Sequence, residues 1–170
     1  MKDNAGFTLM ELAVTVAIFA VLSAIAIPNM IKWRNNAAYR GAVNTLAGDL
    51  AAAKQAAIRA NSNVVVNFTA NGYVIYIDDG DGTGDADGDG IIDGLNNGAQ
   101  DGTETTLRNR TLATGVTIDL GASTFAGNTT LFDSRGRCPT ASTGKVRIKG
   151  SHADHQNDVA INRLGKISVT

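Results

Sequence analysis

Between Asp78 and Asp101 the chain carries eight aspartates and no basic residue. Within this stretch, Asp85-Ala86-Asp87-Gly88-Asp89-Gly90-Ile91-Ile92-Asp93 puts carboxylates at positions 1, 3, 5 and 9 of a loop, with glycine at 6. Alternate side chains at that spacing converge on one centre, Gly90 permits the sharp turn, and the Ile91 carbonyl adds a neutral oxygen. Such a set of hard oxygen donors suits Ca2+. Packed without a cation, these carboxylates would repel one another at short range.

The spacing resembles an EF-hand-type calcium loop, taken as the loop alone, since no flanking helices are evident. Its twelfth position is Asn96 rather than a bidentate glutamate. Asp79, Asp81, Asn96, Asp101 and Glu104 are therefore the candidates to complete the shell, and Ile92 is expected to anchor the loop on the core. Other chemistry is sparse. His152-Ala153-Asp154-His155 lies in a polar turn, Cys138 precedes Pro139 as the single cysteine, and no intrachain disulfide can form. No nucleophile–base spacing, phosphate-cradling glycine loop or distinct carboxylate pair is present, so an enzyme is not expected.

The second isolated functional group is Glu11, the only charge in the 21 residues from Phe7 to Ile27. As a helix this run measures about 31 Å, one bilayer core. A carboxylate there costs several kcal/mol unless paired. The polar leader Met1–Gly6 precedes the apolar run, whereas a secretory signal would put its small-residue cleavage site after it.

Gly6-Phe7-Thr8-Leu9-Met10-Glu11, the apolar stretch and Pro28 together resemble the prepilin signal of type IV pilins and type II secretion pseudopilins. The resemblance implies cleavage between Gly6 and Phe7 by prepilin peptidase and methylation of the Phe7 amine. It also implies single-pass insertion in the bacterial inner membrane with a periplasmic or extracellular head. Assembly with other pilins or pseudopilins on an inner-membrane platform would follow, with Glu11 pairing the Phe7 ammonium of an adjacent subunit. The charge pattern runs against this orientation. Lys2 in the leader is offset by Asp3, whereas Lys32, Arg34 and Arg40 follow the helix, which by the positive-inside rule would hold the C-terminal side in the cytoplasm.

These sites need elements to carry them. Pro28 removes a backbone donor near the end of the apolar run and predicts a kink or local melting. Beyond it, Val43, Leu46, Leu50, Ala53 and Ala57 recur at spacings of three and four, the stripe of an amphipathic helix. Asn61-Ser62-Asn63 ends that helix, and Val64–Phe68 and Tyr73–Ile77 form a hairpin across Asn71-Gly72. Further strand-like runs lie at 107–112, 116–120, 130–132, 145–149 and 159–169. The expected fold class is α+β, a long N-terminal helix on a mostly antiparallel β-sheet head. Its segments are a leader at 1–6, a membrane and filament-core helix at 7–28, a stem helix at 29–61 and a head at 62–170 with the acidic insertion at 78–104.

Leu131-Phe132-Asp133-Ser134-Arg135-Gly136-Arg137 and Ile161-Asn162-Arg163-Leu164-Gly165-Lys166-Ile167 look like the two glycine-turn hairpins of the GspH/FimT minor-pseudopilin branch. That resemblance implies a minor subunit of a type IV pilus or type II secretion filament. Two alternatives stand beside it. One is DNA binding for natural transformation, through Arg135, Arg137, Lys145, Arg147, Lys149, Arg163 and Lys166. The other is a membrane-anchored calcium-binding protein that does not polymerise.

Overall fold

The structure, a computed structural model, describes residues 8–78, 104–151 and 155–170. The chain divides into two units, residues 1–37 and 38–170. The calcium-type residues Asp79, Asp81, Asp85, Asp87, Asp89, Ile91, Asp93, Asn96 and Asp101, the cleavage pair Gly6 and Phe7, and His152 to Asp154 lie outside the described residues.

A single helix α1 spans Leu9–Ala60. Thr8 starts it: its hydroxyl accepts from the Glu11 backbone N–H at 3.2 Å, satisfying one of the donors that every helix N-terminus leaves over. The helix continues through Pro28 without the local melting expected there. A proline removes only one ladder bond, and the bonds of the turns on either side remain. Asn61, at φ 52°, ends the helix in the left-handed geometry that asparagine tolerates.

The stripe read from spacing is the buried face of the second unit's helical part. Tyr39, Val43, Leu46, Leu50, Ala53 and Ala57 are all 5 % exposed or less. They share one core with Val64, Val66, Phe68, Tyr73 and Ile75 from one sheet and Val146, Ile148, Val159 and Ile161 from another.

Strands β1 (Asn63–Thr69), β2 (Gly72–Asp78), β3 (Thr106–Thr111) and β5 (Thr129–Phe132) form the first sheet, in the order β3-β2-β1-β5. Strands β4 (Thr117–Asp119), β6 (Gly144–Lys149), β7 (Gln156–Ile161) and β8 (Ile167–Val169) form the second, in the order β4-β6-β7-β8. All pairings are antiparallel. The run at 159–169 is thus two strands around a turn, and the antiparallel head is divided between two sheets. The acidic insertion leaves β2 and re-enters at β3, where Ile77 N–H donates to the Thr105 carbonyl at 3.0 Å.

The two glycine turns are built alike. The Asp133 carboxylate accepts from the backbone N–H groups of Arg135 and Arg137, and the Asn162 side-chain oxygen accepts from those of Leu164 and Lys166. Gly136 and Gly165 close them at φ 71° and 66°. The turns also touch: a Cβ on Gly165 would stand 2.2 Å from the Gly136 carbonyl oxygen. Lys54 Nζ donates to the Leu164 and Gly165 carbonyls at 3.1 and 3.0 Å, tying this pair to the helix.

Candidate functional site

In the first unit every described side chain from residue 8 to residue 34 is exposed. The apolar ones include Leu9 at 86 %, Phe19 at 69 % and Ile25 at 71 %. An apolar helix left open on all sides has no aqueous equilibrium, and its length suits a bilayer or a bundle of like helices. Glu11 lies one turn into this surface with its carboxylate exposed. The helix therefore offers a single anion, close to its start, to whatever packs against it.

In the head, the charged groups are largely consumed by internal pairs. Asp49, on the buried face of α1, accepts from the Tyr73 hydroxyl at 2.8 Å and from Arg110 Nε at 3.0 Å, with Arg108 at 3.8 Å. This cluster couples helix, β2 and the edge strand β3 through one carboxylate; burial and the hydrogen bond to Asp49 hold the Tyr73 hydroxyl above its ordinary pKa. Neither the stripe nor the strand pattern announces it. The one available signal is an aspartate at the helical spacing of the core positions, which calls for a buried partner.

Lys145 Nζ and Arg147 Nε each lie 2.7 Å from Asp158, and Lys149 Nζ lies 2.6 Å from Asp119. Arg137 pairs with Asp133 at 2.9 Å. Four of the seven cations of the expected phosphate-contacting surface are therefore neutralised by neighbouring carboxylates, three because β6 faces acidic cross-strand neighbours on β4 and β7, and Arg137 by the aspartate of its own turn. Among the described residues, Arg135, Arg163 and Lys166 make no side-chain ion pair, and they sit on the two glycine turns.

Cys138 is 2 % exposed, donates to the Ser142 carbonyl at 2.9 Å, and has its pKa raised by burial. This is the environment of an inert thiol. His155 stacks on Tyr39 with ring centroids 5.3 Å apart. Glu104, the one described member of the candidate calcium shell, is 8 % exposed, and Asp78 at the other root of the insertion is fully buried. Among the described residues no cluster of three or more metal-ligating side chains forms.

An apolar N-terminal helix bearing one early glutamate and an antiparallel β head packed on the later part of the same helix make a pilin-like fold. Residues 42–165 match the Type II transport protein GspH family and residues 1–27 the prokaryotic N-terminal methylation motif, so the chain belongs to the GspH family. Among solved structures it is similar to the type IV minor pilin FimU of Pseudomonas aeruginosa, at 15 % identity and a TM-score of 0.52, covering 77 % of this chain and 91 % of that one. It is also similar to the minor pseudopilin EpsH of the Vibrio cholerae Type 2 Secretion System, at 17 % identity and a TM-score of 0.51, covering 77 % and 94 %. At these identities the likeness is one of fold. No curated protein matches by sequence.

Hydrogen bonds from Arg147 and Lys145 hold the Asp158 carboxyl down at about 2, against an unfolded value near 3.9. A depressed carboxylate stabilises the fold above its unfolded pKa and loses that contribution as pH falls through its folded one. Asp158→Asn should therefore cost roughly 1 kcal/mol at pH 7, kept small by the exposure of both cations. The gap to wild type should narrow between about pH 4 and pH 2, as urea unfolding across a pH series would read out. A gap independent of pH would show that the ion pairs do not contribute.

Proposed function

We propose that the chain is a minor pilin or pseudopilin of a type IV pilus or type II secretion filament. In this reading prepilin peptidase cuts between Gly6 and Phe7, the Phe7 amine is methylated, and the subunit waits in the inner membrane with its head in the periplasm. An assembly platform then moves it into a filament of other pilins, where Glu11 pairs the Phe7 ammonium of a neighbour. The subunit acts by packing rather than by catalysis. The observation that carries the reading is Glu11, a lone carboxylate on a wholly exposed apolar helix, inside a segment that matches the N-terminal methylation motif.

A charge pair within a bundle of apolar helices is desolvated, and removing one partner leaves the other buried and uncompensated, at a cost of several kcal/mol. Glu11→Ala should leave the protein membrane-inserted and the head folded while its incorporation into filaments falls about tenfold or more. Quantitative blotting of sheared filaments against membranes measures this, and unchanged incorporation would remove Glu11 from assembly.

In the same reading Ca2+ holds the acidic insertion through Asp85, Asp87, Asp89, the Ile91 carbonyl and Asp93, with Glu104 or the other flanking groups completing the shell. Supporting this, the insertion is rooted on two hydrogen-bonded strands, and its two roots add buried carboxylates at Asp78 and Glu104 to the negative charge. An ion bound only by the folded chain at a hundredfold excess over Kd adds about 2.7 kcal/mol, or roughly 5–10 °C for a domain of this size. Melting curves of the detergent-solubilised chain in EDTA and in calcium should differ by that amount, less in magnesium, and not at all with Asp87 and Asp89 changed to alanine. Coincident wild-type curves would rule the site out.

A further inference from the structure

The apolar surface of the first unit does not fade gradually. It runs to Met30 and Ile31, 70 % and 49 % exposed, and is followed at once by Lys32, Trp33 and Arg34. Trp33 is 69 % exposed and is the chain's single tryptophan. Among the described residues neither Lys32 nor Arg34 makes an ion pair or a side-chain hydrogen bond. Successive helical residues are about 100° apart, so the three side chains sweep some 200° of the circumference. They form a collar, not a stripe, which is what an isotropic surface such as a lipid headgroup layer demands and a single docked protein face does not.

We propose that Lys32-Trp33-Arg34 is a headgroup-binding collar, which takes the phosphates of anionic lipid and sets the depth of the helix in the bilayer. This rests on the membrane-inserted reading above. An indole prefers the boundary between headgroups and hydrocarbon, and a cation beside it gains about 1 kcal/mol from an anionic surface. Glu11 precedes Trp33 by 22 residues, about 33 Å of helix against a hydrocarbon core of about 30 Å. With Trp33 at one boundary, Glu11 reaches the opposite headgroup layer. The carboxylate of the waiting subunit is then hydrated, and the cost of burying it falls only when the helix is drawn into a bundle that supplies its partner. The collar also accounts for the cations that follow the helix against the positive-inside pattern: they contact lipid phosphate on the exit side.

The test uses Trp33 as its own reporter. The full chain is reconstituted at high lipid excess in phosphatidylcholine vesicles containing a fixed minor fraction of dibrominated lipid, either phosphatidylcholine or phosphatidylglycerol, with bromines placed shallow or deep. Shallow bromines should quench Trp33 more than deep ones. Brominated phosphatidylglycerol should quench it several-fold more than brominated phosphatidylcholine, about fivefold local enrichment per basic residue at most. High salt, or Lys32→Gln with Arg34→Gln, should abolish that preference. Equal quenching by the two headgroups, including the outcome in which the collar binds a protein partner instead, would overturn the inference, as would strongest quenching by deep bromines. The wild-type comparison decides this without the variant. Failure of the chain to float with vesicles after an alkaline wash would instead count against the membrane reading itself.

Discussion

One helix in this protein has to be stable in two solvents. Over its first part it shows apolar side chains in every direction, which is unfavourable in water; over its second part a stripe from Tyr39 to Ala57 is buried and the exposed faces carry polar residues among glycine, alanine and Ile58. Because the backbone ladder pairs nearly all N–H and C=O groups internally and Pro28 removes only one bond from it, the same helix can serve both parts without a break. The head is then whatever β structure can cover that stripe. Both sheets contribute to one core with it, and the small residues Ala53 and Ala57 allow close approach where the strands pack on the helix.

The polar interior of the head serves the same end. Asp49 is an expensive residue to bury, and it is tolerated because Tyr73 and Arg110 meet it, fixing the exposed edge strand β3 to the helix. At the other side of the head, Lys54 caps the paired glycine turns. Positive φ alone would permit asparagine, but a Cβ on Gly165 would stand 2.2 Å from the Gly136 carbonyl oxygen, and one on Gly136 would stand 2.7 Å from Ile58 Cδ1, so each position has its own reason to be glycine.

Much of this was legible in the chain. The stripe at Val43, Leu46, Leu50, Ala53 and Ala57, the Asn71-Gly72 hairpin and the two glycine turns are local periodicities, and local periodicities are what a sequence displays. The division of the strands between two sheets was not legible, because it depends on which strands pair over distance. The ion pairs of Lys145, Arg147 and Lys149 were hidden for the same reason. As residues they read as an available basic surface, and only the β4–β6–β7 register brings Asp119 and Asp158 beside them. Glu11 stands out as a candidate because its chemistry conflicts with its apolar surroundings, and such a conflict needs no partner in view.

In the proposed filament, where no headgroup water reaches Glu11, that conflict would be resolved by the new amine of Phe7, which exists only once the chain is matured at the start of its helix. The most direct measurement is therefore the N-terminal mass of the protein taken from membranes that contain active prepilin peptidase. The mature chain should begin at methylated Phe7, with Met1–Gly6 removed. An intact Met1 terminus, or cleavage after the apolar run, would contradict it.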